Sequence, residues 1–253
     1  MENRNIKSLE NAINLLLSLS KKEYVSVTEL SNDLGLTKGA VSKILATFRN
    51  FDFVTQDDQT KQYSLGPMLI SLGYYAMNRL DIRKIAKPFL AKLSEKYNEN
   101  TMIMMAQGEQ VIVVELCESN LPIKLAMKLG ECHPFYRGAA PKVLLAYMDE
   151  KKRDKIIAKM QFEPLTKNTI TQKERLLQRL EEIKRDGYCI SKGEIDLSIM
   201  AIAVPIRDFS GNVVASLAMS GPRGRMEEHN LENILQDLFK IADLISVQLG
   251  AKA

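Results

Sequence analysis

The chain has 253 residues, enough for two ordinary domains or one large one. Its 45% hydrophobic and 26% charged content are ordinary globular values. No apolar run approaches the ~20 residues of a membrane helix, and Met1-Glu2-Asn3-Arg4-Asn5 lacks the layout of a signal peptide. A soluble, cytoplasmic protein with no membrane partner is expected, and the net charge of +4 permits nucleic-acid binding without establishing it.

In chain order, Ile6, Leu9, Ile13, Leu16 and Leu17 recur at helical spacing, with Ser8 placed to cap. A second helix starts at Ser26 or Thr28, runs through Leu30 to Leu34 and stops at Gly35. Thr37 caps a third, whose Val41, Ile44, Leu45 and Phe48 turn toward the other two. Lys38, Gly39, Ser42 and Lys43 are left on its far side. A helix, a glycine turn and a second helix showing hydroxyls and lysines outward is how a small helical unit enters the major groove of DNA.

Over residues 1–66, Arg4, Lys7, Lys21, Lys22, Lys38, Lys43, Arg49 and Lys61 cancel Glu2, Glu10, Glu23, Glu29, Asp33, Asp52, Asp57 and Asp58. From Thr37 to Asn50, however, the only charges are Lys38, Lys43 and Arg49. Lysine donates to guanine or phosphate, and the Ser42 hydroxyl suits either phosphate or base. Gly39 and Ala40 let the helix approach the groove floor, or let Ala40 touch a thymine methyl. Arg49 and Lys61 suit phosphate. The competing reading is an ordinary solvated helix face.

Phe53–Thr55 and Gln62–Leu65 alternate like strands joined by a polar loop, a hairpin placed as the wing of a winged helix-turn-helix. Gly66-Pro67 punctuates the chain, and Met68, Leu69, Leu72, Tyr75 and Ala76 mark a connector helix. The expected organisation is a winged helix-turn-helix over 1–66, a connector over 67–80 and a second domain over 81–253. Ile82 to Tyr97 reads as a helix that Pro88 should kink or break.

From Thr101 the period becomes two. Strands are expected at Met102–Ala106, Val111–Cys117, Ile123–Lys128, Tyr188–Ser191, Ala201–Arg207 and Val213–Ser220. Helices are expected at Ala140–Asp149, Glu150–Met160 and Gln172–Asp186, with one long final helix from about Met226 to Leu249. Antiparallel strands with segregated helices make the fold class α+β rather than a βαβ nucleotide fold.

Cys117, Cys132 and Cys189 lack a C-x-x-C pair and read as buried free thiols; a redox-responsive transcription factor using them is the alternative function. None has a Lys or Arg beside it in sequence to lower its pKa. His133 and His229 are too isolated for zinc, His133 beside Cys132 reading as packing. Pro222-Arg223-Gly224-Arg225 lacks the spacing of a phosphate loop and reads as a loop before the last helix. With no nucleophile elbow or dinucleotide fingerprint, no enzyme activity, catalytic residue, metal or cofactor is expected.

Across its whole length the chain resembles the IclR family of bacterial transcriptional regulators. Ser8-Leu9-Glu10-Asn11-Ala12-Ile13 is similar to the family's first helix, Leu36 to Val54 to its reading helix and turn, and Tyr63-Ser64-Leu65-Gly66 to the end of its wing. Asn168-Thr169-Ile170-Thr171, Arg185-Asp186-Gly187-Tyr188, Ala201-Ile202-Ala203-Val204-Pro205 and Ser220-Gly221-Pro222 resemble its effector-domain landmarks in the same order. The resemblance implies a C-terminal GAF-like effector domain with an antiparallel sheet. It also implies a regulator of double-stranded operator DNA controlled by a small-molecule effector, an organic acid or other metabolite, and acting as a homodimer or dimer of dimers.

The implied DNA-binding set is Thr37, Lys38, Gly39, Ala40, Ser42, Lys43, Arg49 and Lys61. The effector-binding set is Gly138, Ala139, Ala140, Ser191, Glu194, Ala201 and Ser220, from apolar segments with a few convergent polar groups. Gly138-Ala139-Ala140 either presents free N–H groups to an anion or serves close packing. Glu194 either meets ligand or closes the pocket through hydrogen bonds. Ser198, Pro141-Lys142, Ser191, Ala201 and Ala218 depart from the family's usual pattern, which points to a ligand different from the small keto acids of some relatives.

Overall fold

A computed structural model describes residues 6–78 and 81–251, and the chain divides into two units, Met1–Arg79 and Leu80–Ala253. The first unit carries α1 (Lys7–Leu19), α2 (Val27–Leu34), α3 (Lys38–Asn50), a hairpin of β1 (Val54–Gln56) and β2 (Tyr63–Leu65), and α4 (Met68–Asn78). Ser8 does not cap α1; the helix already runs from Lys7, after Ile6, with no side-chain cap bond. Ser26 does cap α2. Its hydroxyl accepts from the Glu29 N–H at 3.2 Å while the Glu29 carboxylate accepts from the Ser26 N–H at 2.9 Å, a reciprocal box that satisfies two helix-end donors. The Ser26 N–H first, and then the Ser26 hydroxyl donating to the same carboxylate at 2.8 Å, hold the Glu29 carboxyl below its ordinary range.

Gly35 ends α2 in the left-handed region at φ +63°. Leu15, Leu19, Leu30, Val41, Leu45 and Val54 then close a small core. Gly66 lets the chain leave the wing: a Cβ there would stand 2.2 Å from the Asp52 carbonyl oxygen and 2.8 Å from the Phe53 carbonyl carbon.

The second unit begins with α5 (Asp81–Tyr97), which runs through Pro88 without the expected break. Pro88 and Lys84, whose carbonyl loses its helical partner, are both exposed, so water can take that bond. β3 (Asn100–Gln107), β4 (Gln110–Cys117) and β5 (Cys132–Pro134) follow, then α6 (Ala139–Ala146), α7 (Glu150–Lys159) and α8 (Lys173–Asp186). β6 (Cys189–Lys192), β7 (Ile199–Arg207), β8 (Val213–Pro222), α9 (Arg223–Glu228) and α10 (Leu231–Gln248) complete it. The six strands form one antiparallel sheet in the order β5-β4-β3-β8-β7-β6.

Both faces are covered. Met200, Ile202, Val204 and Ile206 of β7 pack with α5 and α10, while Ala203, Ala218, Met102 and Met104 pack with α6 and α8 on the other face. Two-sided burial explains why β7 and β8 read as nearly continuous apolar runs.

Three further expectations are corrected. Residues 123–128 form no strand. Their carbonyls find side chains instead, Leu125 accepting from Asn100 and Ile123 from Arg225, and β5 pairs with β4 at that edge. The single final helix is two, because Asn230 leaves helical geometry and its side chain caps α10 through the Glu232 and Asn233 N–H groups. The loop expected at 222–225 is instead the last residue of β8 followed by the start of α9, where Arg225 makes a two-pronged ion pair with fully buried Glu99. No helix among the described residues is long and apolar enough to cross a membrane.

Candidate functional sites in the two units

In the first unit, Thr37 is the N-cap of α3, its hydroxyl accepting from the Ala40 N–H at 3.3 Å. That bond commits the side chain to starting the helix. Lys38, Gly39, Ser42 and Lys43 are exposed along the face opposite the core, and Ala40 is half-buried on its shoulder. Arg49 is exposed near the end of α3, where its guanidinium donates to the Gln56 side chain on the wing at 3.0 Å. Gln56 in turn donates to the Lys61 carbonyl at 3.1 Å. Lys61 itself is exposed and held at φ +56°.

Asp57 folds the wing tip by accepting from Gln59, Thr60 and the Thr60 hydroxyl. These bonds, the Thr60 N–H first, push its carboxyl below the ordinary range. Helix end and wing are therefore one hydrogen-bonded edge, and Gln56 is the residue that sequence patterning did not single out.

In the second unit, a pocket opens on the α6 face of the sheet. It exists because that stretch of sheet carries small side chains: Ser191 lies opposite Ala201, and Ala201 opposite Ser220, across three strands. Ala218 sits beside Met102 in the next row. Gly138, Ala139 and Ala140 form the facing wall at the start of α6, with Gly138 at φ +81°. All seven residues expected at an effector site thus line one void. Met102, Met104, Leu125, Met127 and Ile199 are among its further apolar lining residues, and His133 and Arg137 add polar groups. Met102, Met104, Leu125 and Met127 are lining residues that sequence patterning did not assign to the pocket, whereas His133 and Arg137 fall within the Gly130–Ala140 segment expected to form it.

The electrostatics of the wall are unusual. Glu194 is buried, and both its carboxylate oxygens accept from the fully buried Lys142 ammonium. It also accepts from the Gly138 N–H at 3.3 Å. Arg137 donates to the Tyr136 hydroxyl at 2.7 Å and to Glu163 at 3.2 Å, with its guanidinium 5.0 Å from the Tyr136 ring centre. Burial pushes the His133 imidazole below its ordinary pKa; Glu131 opposes this and Arg137 adds to it. The Ser220 hydroxyl, the His133 Nε2 and the Arg137 Nε are buried without a hydrogen-bond partner among the described residues, although His133 Nε2 lies 3.6 Å from Glu131.

Of the three thiols, only Cys189 is buried, contrary to the sequence expectation; Cys117 is half-buried and Cys132 exposed. The fold brings Arg179 to 4.0 Å from the Cys189 sulfur, yet burial dominates and pushes that thiol up, away from thiolate reactivity. Among the described residues no group of three or more His, Cys, Asp or Glu is placed to hold a metal ion.

Two family models match the chain: the IclR helix-turn-helix domain over residues 8–58 and the bacterial transcriptional regulator IclR C-terminal domain over residues 74–247. The HTH-type transcriptional regulator KipR of Bacillus subtilis is 28% identical over 99% of both chains. The HTH-type transcriptional regulator KdgR of Escherichia coli is 28% identical over 97% of this chain and 93% of its own length. The crystal structure of an IclR transcriptional regulator from Alicyclobacillus acidocaldarius superposes with a TM-score of 0.84 at 27% identity, covering 97% of this chain and all of that one.

Proposed function

The chain belongs to the IclR family of bacterial transcriptional regulators, and we propose that it reads double-stranded operator DNA in the cytoplasm through the outward face of α3. The observation that carries this reading is the charge pattern there. Lys38, Ser42 and Lys43 are exposed together with no carboxylate between Thr37 and Asn50, so the helix can approach phosphates and base edges without repulsion. Thr37 starts the helix, Gly39 and Ala40 keep its approach close, and Arg49 and Lys61 flank it toward phosphate.

The single footprint is small and its unit nearly neutral, so a homodimer or dimer of dimers on paired half-sites supplies the remaining affinity. Leu9, Ile13 and Leu17 leave an apolar stripe exposed on α1 that a second copy would cover. The cavity bounded by Gly138, Ala139, Ala140, Ser191, Glu194, Ala201 and Ser220 takes a small-molecule effector. Its occupancy shifts operator affinity by as much as the ligand's preference for one state of the protein allows.

Duplexes enriched by the protein from a random pool test this directly. Enrichment of a palindromic site, lost when Ser42 and Lys43 are both changed to Ala, is the expected result. Retention of the same site by that variant would place the reading surface elsewhere.

A further inference from the structure

The pairing of β6 with β7 stops at Cys189 opposite Ala203, so Pro205 and Arg207 run past it with no paired strand on that side. A groove opens there between the end of β7, the turn at Gly187, Tyr147 at the end of α6 and the C-terminal half of α10. It shares no lining residue with the cavity at the start of α6. The free edge offers little to an added strand, because Pro205 has no N–H and the Arg207 N–H donates to the Ser246 hydroxyl at 2.9 Å.

Two opposite charges line this groove, and neither has an ion-pair partner among the described residues. The Arg207 guanidinium donates to the Gly211 carbonyl at 2.9 Å and lies 4.9 Å from the Tyr147 ring centre. These contacts fix its place and leave further N–H donors unused. The adjacent Asp208 carboxylate is committed elsewhere, accepting from the Ser210 and Asn212 N–H groups. Asp243 is exposed on α10 and makes no hydrogen bond among the described residues. Most of the remaining lining is apolar, with Pro205, Val247, Ala251 and the Phe239 ring, which is held edge-on against Tyr188.

A simple anion would engage Arg207 and meet Asp243 as a like charge, and a simple cation would do the reverse. A molecule carrying both charges satisfies each group through a charge-assisted hydrogen bond, brings in no net charge and can lay an apolar body on the rest of the groove. We propose that this groove binds a small zwitterion with an apolar side chain, the class of the aromatic and branched aliphatic amino acids, with its carboxylate on Arg207 and its ammonium on Asp243. The assignment stands apart from the effector reading of the other cavity.

The test uses the full chain labelled with 13C at its alanine, valine and methionine methyls, and three probes of similar shape. L-Phenylalanine carries both charges, 3-phenylpropionate lacks the ammonium and phenethylamine lacks the carboxylate. L-Phenylalanine should shift the Val247 and Ala251 methyls at concentrations about tenfold or more below either analogue, the discrimination expected from one charge-assisted hydrogen bond. The Met102 and Met104 methyls, which line the other cavity, report binding there instead. L-Phenylalanine that leaves Val247 and Ala251 unmoved, or either analogue acting at equal or lower concentration, would overturn the proposal. So would Val247 and Ala251 signals that move with protein concentration alone, since a second copy would then fill the groove.

Asp243→Asn, an exposed change, should erase the advantage of L-phenylalanine over 3-phenylpropionate and keep its advantage over phenethylamine. Arg207→Gln should do the reverse. An unchanged advantage in Asp243→Asn counts against the assignment even if Arg207→Gln, which also gives up its place beside Tyr147, does not fold.

Discussion

The reading helix and the cavity use the same kinds of residue in opposite ways. On α3, Lys38, Lys43 and Arg49 are exposed, with no carboxylate between Thr37 and Asn50, so their charge is available to a polyanion and each contributes little to folding. At the cavity, Lys142 and Glu194 are buried and mutually neutralised, so their charge is unavailable to a ligand and essential to the local fold. Position relative to water, rather than residue type, decides whether a cation binds or builds.

The largest effect should come from breaking the buried pair. Lys142→Met leaves Glu194 an uncompensated buried charge and should cost about 3–5 kcal/mol in chemical denaturation, much of it recovered when Glu194→Gln is added. An exposed counterpart such as Lys38→Met should change stability by no more than about 0.5 kcal/mol. Equal losses for the two lysines would erase the contrast.

Gly66→Ala sharpens the first-unit side, because its methyl meets backbone that cannot swing away. We expect a loss of about 1–3 kcal/mol, the range for forced overpacking, read as a lower melting temperature together with weaker operator binding. A neutral outcome would mean that the exit from the wing is looser than described.

Arg49→Ala and Lys61→Ala should each lower the slope of log affinity against log salt by about one if they meet phosphate. Arg49→Ala should also loosen the wing through Gln56. An unchanged slope for either removes that residue from the DNA surface.

The smallest effect concerns His133. Burial holds its folded pKa below the ordinary value of 6.5, so the unfolded chain takes up the proton first as pH falls. Stability is therefore lost as pH drops through about 6.5, and the loss levels off below the folded pKa. His133→Gln should flatten the decline in melting temperature between neutral and mildly acid pH; an identical decline would rule out this contribution.

The two sites were also unequally legible in the sequence. The reader is local: Ser26 and Glu29, Gly35, Thr37 and the apolar positions from Leu30 to Phe48 lie within one short stretch and obey helix-end chemistry. The cavity is assembled from β3, β6, β7, β8 and the start of α6, brought together by strand register. No spacing rule places Ser191 opposite Ala201 and Ser220; family resemblance alone nominated them. Lys142 was noted only as the partner of Pro141, where the family often has a Gly-Lys pair, since a lysine after a proline gives no sign that a carboxylate 52 residues later will neutralise it.

Residues 123–128 were misread because alternation was present but the Ile123 and Leu125 carbonyls accept from the Arg225 and Asn100 side chains instead of a neighbouring strand. The last helix was misread because the capping signal of Asn230 sits inside an otherwise helical run.

Operator affinity of Lys43→Ala, measured beside wild type on an enriched site and on a scrambled duplex, tests the reading face most directly. A loss of about 1–3 kcal/mol on the operator, with a smaller change on the scrambled duplex, is the predicted result for a base contact. Unchanged operator affinity in a folded Lys43→Ala protein would contradict it.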